Sequence, residues 1–206
     1  MDQNGQVKYG DRPPPDRTAK PVQSANVASP TALAEVEIEE STMKYFEVYG
    51  ANARELQSSI LANGPFNQIV QRHVNAECGW RLRWKFDYVR DAGQCRIVKF
   101  KITLSTEITF PKWQNPGAAD DAVRSIWARV SKEIRTHEDG HKANGIEAAN
   151  VLALRLRALP PYDTCEALNA EISREGKRIF ADYALLDRAY DRTEVLKIKR
   201  GGRFAE

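Results

Sequence analysis

The feature that most constrains the fold is a change of hydrophobic period midway along the chain. Trp80, Leu82, Trp84, Phe86 and Tyr88 alternate with Arg81, Arg83, Lys85 and Asp87, and Val98, Phe100, Ile102 and Leu104 alternate with Lys99, Lys101 and Thr103. A period of two puts one set of side chains on a core and the other in water, so these are two strands, and Asp91-Ala92-Gly93 between them predicts a hairpin. Beyond Pro111 and the turn-forming Asn115-Pro116-Gly117 the period lengthens. Val123, Trp127, Val130, Ile134, His137, His141, Ala148 and Leu152 recur at helical spacing, and Pro160-Pro161 stops that helix. Asp163 and Glu166 open another, with Leu168, Ile172, Ile179, Tyr183, Leu186 and Tyr190 as its buried stripe. The short connection makes the two helices antiparallel neighbours. The expected class is α+β, an antiparallel sheet packed on a long antiparallel helical hairpin.

Upstream, Lys44 to Tyr49 reads as a strand, and Asn52 with Glu55 as a capping box opening a short helix that Gly64-Pro65 ends. Residues 1–33 carry Pro13, Pro14, Pro15, Pro21 and Pro30 among polar residues, a composition that cannot offset the entropy of ordering, and read as a disordered leader. Residues 34–196 form the expected single domain, followed by a basic tail, 197–206, with Lys197, Lys199, Arg200 and Arg203. The 31 basic and 28 acidic residues are otherwise interspersed, so the net charge of +3 makes only a weak nucleic-acid footprint, and no nucleic-acid partner is expected. No apolar run approaches the roughly 20 residues that span a bilayer, and Met1 to Gly10 lack the core of a signal peptide. The chain is expected to be soluble and, if exported, to have shed its signal.

The helical stripe carries His137-Glu138-Asp139-Gly140-His141, an HExxH arrangement. Two imidazoles one turn apart can share one metal, and the glutamate between them reaches a water bound to it. The chain has only three histidines, and chance matches at this composition number on the order of 0.003. Zinc with an open position lowers the pKa of its water to about 7, and Glu138 would act as general base and then protonate the leaving amine. The chemistry is therefore that of a zincin-like, zinc-dependent metallopeptidase acting on a peptide or protein substrate. The contrasting reading is a non-catalytic domain that keeps the metal for stability. Tyr183 or Tyr190 on the facing helix could stabilise a developing oxyanion.

Two protein ligands are too few for a catalytic zinc, which holds three. With residues 160–162 as the centre of the helical hairpin, His137 faces about residue 185 and His141 about residue 181. Asp187, one turn from Tyr183, is the first candidate for the third ligand. Asp182 lies on the other edge of the stripe, and Asp191 and Glu194 require the helix end to lean inward. Glu147 stands where an HExxHxxGxxH pattern has its third ligand, with Asn144 in place of the glycine, but Ala148, Val151, Leu152 and Leu156 keep the helical period and turn it away. His73 has no liganding neighbour and reads as a loop or strand histidine. Gly176 falls opposite Gly145, which predicts close backbone approach.

These residues bring a family into view. Tyr45-Phe-Glu-Val-Tyr-Gly50, Ile108-Thr-Phe-Pro-Lys-Trp113, His137 to His141, Thr164-Cys165-Glu166 and Tyr190-Asp191 resemble a bacterial family of predicted secreted zinc-dependent proteases, catalogued as a domain of unknown function. The resemblance covers about residues 41–195 and implies a periplasmic or extracellular metallopeptidase. The family's pattern continues from Tyr-Asp into Thr-x-His-Gly, whereas here Thr193 is followed by Glu194, Val195 and Leu196. If that histidine is the family's third ligand, either an acid replaces it here, most simply Glu194 or Asp191, or the chain binds metal weakly.

Cys78 and Cys95 open the two long strands, so in a tight hairpin they stand at opposite ends, roughly 30 Å apart, and do not pair. Cys95 with Cys165 is the expected bridge, in keeping with the exported location that the resemblance implies. Three reduced thiols are the alternative.

Overall fold

The computed structural model describes residues 32–68 and 70–201, with side chains as far as residue 192. The leader before residue 32, the side chains of the basic tail and that of Glu194 lie outside the described residues. Among the described residues, six strands and three α-helices follow in order: β1 Leu33–Ile38, β2 Thr42–Val48, α1 Ala53–Asn63, β3 Phe66–Asn67, β4 Arg72–His73, β5 Glu77–Asp91, β6 Gln94–Trp113, α2 Asp121–Arg157 and α3 Cys165–Gly201. No helix among the described residues is long and apolar enough to cross a membrane. The chain divides into two compact units, and β5, β6, α2 and α3 each contribute to both.

The first unit takes in residues up to Glu39, Arg81–Ser105 and Gly145–Leu185. Here β5 turns into β6 through Ala92 and Gly93, both at positive φ (47° and 79°). Two left-handed residues match the twist of a two-residue hairpin, which is why a glycine follows the alanine, and so short a connection makes the strands antiparallel. Along β1, however, the pairing is parallel, from Leu33 opposite Lys99 to Ile38 opposite Leu104. The sheet is therefore mixed rather than antiparallel. Alternation in β1, where Val36 is flanked by Glu35 and Glu37, fixes which face is buried but says nothing of strand direction.

Burial along β6 also changes parity, from Cys95 and Ile97 to Phe100, Ile102 and Leu104, so Ile97 rather than Val98 is buried. Gly176 on α3 makes room for an indole: a Cβ there would stand 2.5 Å from Cη2 of Trp84. That contact accounts for a glycine in mid-helix, which the sequence had set opposite Gly145.

The connection between α2 and α3 is pinned to the sheet. Cys95 N–H donates to the Tyr162 carbonyl (2.7 Å), Tyr162 N–H donates back (2.9 Å), and Cys95 is bonded to Cys165, 70 residues away. Thr164, rather than Asp163, caps α3 by accepting from Ala167 N–H at 3.0 Å. Because the Cys95–Cys165 bond closes a long loop, replacing both cysteines by alanine should lower unfolding free energy by about 2–5 kcal/mol. A chemical denaturation curve that matched the parent's would refute this.

The second unit comprises Glu40–Trp80, Thr106–Asn144 and the chain from Leu186 onward. Again β2 lies parallel to β6, from Thr42 opposite Glu107 to Val48 opposite Trp113. Parallel pairing needs a crossover before the chain can return, and α1 supplies part of it. Asn52 caps α1 by accepting from Glu55 N–H (3.0 Å), Glu55 accepts from Ala51 N–H (2.7 Å), and Gly64 N–H closes the far end on the Ile60 carbonyl (2.9 Å). Asp120 starts α2 by accepting from Val123 N–H at 2.8 Å.

Two apolar clusters then fix the first half of α2. Val48, Leu56, Ile60, Trp113 and Ala119 receive Val123 and Trp127, while Ala76, Ile108 and Phe110 pack with Val130 and Ile134. Fully burying residues such as Val130 and Ile134 stabilises by about 1.5–3 kcal/mol each. That packing sets the rotation of the helix about its axis. The next positions on the same face are His137 and His141.

Candidate metal centre

His137 and His141 lie one turn apart on α2, and Asp187 and Asp191 one turn apart on α3, all in the second unit. The Nε2 atoms of the two histidines are 3.3 Å from each other, and Asp191 Oδ1 is 3.2 Å from that of His137 and 3.0 Å from that of His141. Among the described residues, His137, His141 and Asp191 form a group of ligand-type side chains that converge closely enough to hold one ion.

The fit can be tested against the chemistry of zinc. Bonds of about 2.0–2.1 Å in a tetrahedron put neighbouring donors roughly 3.3 Å apart. The three donor atoms have that spacing. Two imidazole nitrogens and a carboxylate oxygen also form a donor set of hydrolytic zinc sites, leaving a fourth position open. The histidine side chains are nearly enclosed, 12% and 10% exposed, whereas Asp191 is 52% exposed and lies on the solvent side.

Asp187, the residue expected as third ligand, stands behind His141 rather than in front of it. Its Oδ1 is 2.9 Å from His141 Nδ1 and also accepts from Asn144 Nδ2 at 2.7 Å, and its Oδ2 accepts from Trp80 Nε1 at 2.9 Å. The difference comes from the helix register. His137 meets residue 191 and His141 residue 187 rather than about 185 and 181, although the gap between Arg157 and Cys165 is itself centred near the prolines, so the two helices are staggered along each other.

The buried stripe of α3 bends with that register. Leu186 is 50% exposed, and after Tyr183 the inward positions are taken by Asp187 and Tyr190. A purely apolar reading passes over the aspartate. The available signal was the pairing of a Dxxx-spaced acid pair, Asp187 and Asp191, with an Hxxx-spaced histidine pair at matching helical intervals.

Glu138 is 4% exposed. On the facing strand Cys78 is pushed up to about 12 by burial and by the charges of Glu138 and Asp187, so its thiol stays protonated. The other nominees are placed elsewhere. Glu147 and Tyr183 bond each other in the first unit, Asp182 is exposed there, and α2 continues unbroken past Asn144. His73 sits in β4, its Nδ1 2.6 Å from the Gly64 carbonyl.

Tyr190 belongs to the site. Its ring stacks on His137 (4.8 Å, 7° between planes) and meets His141 edge-on at 5.2 Å. Room for it comes from Gly140, where a Cβ would stand 2.4 Å from the phenol oxygen and 2.5 Å from Cζ. Alanine at that position gains about 1 kcal/mol of helix propensity, but overpacking costs about 1–3 kcal/mol, and both histidines hold the phenol in place. Gly140→Ala should therefore be destabilising and weaken metal binding, as read by thermal melting and zinc titration. A variant more stable than the parent with unchanged affinity would contradict this packing.

The charges have a pH consequence for the chain without metal. Burial alone would lower the His141 pKa, but hydrogen bonds to Asp187 and Asp191 and their charges outweigh it and raise it to about 10. Burial likewise raises Asp191, but His137 and His141 outweigh it and hold it well below the usual carboxylate range, and Asp187 is lowered in the same way by His141, Asn144 and Trp80. A raised histidine stabilises the fold fully below its unfolded value of about 6.5, and that stability is lost as pH rises through its folded value. The lowered acids contribute above the usual carboxylate value and lose their contribution as pH falls. Chelator-treated protein should accordingly melt at progressively lower temperature from about pH 6.5 towards 10. Melting that rises over that window would show that His141 is not held as a cation.

No curated protein and no solved structure matches the chain. A family model does match, over residues 43–197, a span that contains the histidines, both aspartates, Tyr190 and Cys78. The chain belongs to the family described as bacterial protein of unknown function (DUF922).

Proposed function

We propose that the chain is a zinc-dependent peptidase of the zincin kind, with His137, His141 and Asp191 holding the metal and Glu138 acting as general base. The observation that carries this reading is the convergence of two Nε2 atoms and Oδ1 of Asp191 at 3.0–3.3 Å. Zinc, when bound, supplies Lewis acidity for a substrate carbonyl and a water of lowered pKa.

The chain's own residues do the rest. Glu138 takes the proton from the attacking water and returns it to the leaving amine, a role for which its place between the two histidines and its enclosure suit it. Asp191 is open to solvent on one side, which leaves an approach for substrate. Tyr190 walls the histidines and keeps water from that face. An exported location accords with the Cys95–Cys165 bond, since such bonds persist in oxidising compartments.

The test is hydrolysis of a broad peptide library by the zinc-loaded chain. Cleavage that stops on chelation and returns with zinc supports the proposal. A chain that binds zinc and cleaves no peptide would sink the enzyme reading in favour of a metal-stabilised binding domain.

A further inference from the structure

We infer that Asp187 is a positioning residue, which keeps the proton of His141 on Nδ1 so that Nε2 offers its lone pair to the metal, and which is itself aimed by Trp80 and Asn144. The inference rests on the metal centre proposed above. An imidazole presents its two nitrogens in diverging directions, so a carboxylate at Nδ1 cannot share an ion held at Nε2. Asp187 Oδ1 lies at Nδ1 of His141, 2.9 Å away, whereas the atoms gathered around Nε2 belong to His137 and Asp191.

Three N–H groups then occupy the Asp187 carboxylate: those of His141 and Asn144 on Oδ1 and that of Trp80 on Oδ2. Two of them come from α2 and one from β5, while Asp187 itself stands on α3, so the orientation of the ring is tied to the strand as well as to both helices. A neutral imidazole has one proton, and an acceptor fixed at Nδ1 selects the tautomer whose Nε2 is free to ligate. His137 lacks this support. Among the described residues its buried Nδ1 has no hydrogen-bond partner, and its ring is held by stacking on Tyr190. The two histidines are thus held by different means, and the effect of Asp187 should be confined to His141.

The experiment compares the full chain with Asp187→Ala, Asp187→Asn and Trp80→Phe. Zinc affinity is measured by competition with a chromogenic chelator, and the imidazole protons of the zinc-loaded proteins by nitrogen-15 NMR. Asp187→Ala should retain one zinc per chain and lose about 10–100-fold in affinity. Asp187→Asn should lose on the order of tenfold, since an amide turned to accept from His141 points its own N–H group at that of Trp80. Trp80→Phe should lose less than either. In the parent, the slowly exchanging Nδ1 proton of His141 should be visible; in Asp187→Ala it should vanish while the His137 signals stay.

Loss of all zinc in Asp187→Ala, with zinc kept in Asp191→Ala, would make Asp187 a ligand and overturn the inference. Unchanged affinity and an unchanged Nδ1 signal would overturn it as well. If Asp187→Ala does not fold, Asp187→Asn and Trp80→Phe decide by the same two readouts. A parent that binds no zinc overturns the metal centre and this role with it, and the parent alone reveals that outcome.

Discussion

Glu138→Gln is expected to lower the rate of peptide hydrolysis by about 10²–10⁴-fold while leaving one zinc per chain. The substitution preserves volume and planar shape at a position only 4% exposed, so packing should survive. What it removes is the ability to accept a proton, because an amide oxygen is far less basic than a carboxylate. The atoms proposed to hold the metal belong to His137, His141 and Asp191 and are untouched. The loss should appear in kcat rather than KM, since proton transfer is needed in the transition state and not for substrate binding. Hydrolysis at the parent's rate would move the general base to another residue and remove the main reason for reading HExxH as catalytic here.

Asp191→Ala should weaken zinc binding on the order of a thousandfold. Metal binding at structural zinc sites is worth about 10–16 kcal/mol, and if three ligands share it, losing one removes about 4 kcal/mol. Asp187→Ala, by contrast, should cost no more than about a hundredfold, because it acts through His141. The ordering of the two variants is therefore diagnostic. Isothermal titration with zinc measures both, and an Asp191→Ala chain as tight as the parent would remove the third ligand from this account.

Much of this was legible in the sequence because side-chain periodicity reports burial directly. Alternation located β5 and β6, the Asp91 to Gly93 turn located their hairpin, and the stripe through Val130 and Ile134 put His137 and His141 on the inward face of α2. The Cys95–Cys165 bond is the bridge expected from placing Cys95 on the sheet and Cys165 at the start of α3, with the exported location implied by the resemblance. Strand direction was not legible, since β1 and β2 bury the same residues whichever way they pair, and both prove parallel to β6. The register of α2 against α3 was not legible for a different reason. Equal rise from a turn centred on the prolines gives the wrong partners because α2 and α3 are staggered, and the stagger is set by packing between residues far apart in sequence, which spacing along one helix does not report. A shift of that size changes which aspartate meets Nε2 of His141 and which meets Nδ1.

X-ray absorption on the zinc-loaded chain tests the central claim most directly. The account predicts a first shell of nitrogen and oxygen at about 2.0–2.1 Å, with multiple-scattering features from two imidazoles and no sulfur. A shell fitted by three imidazoles, which would bring in His73, or one containing sulfur at about 2.3 Å from Cys78, would contradict it.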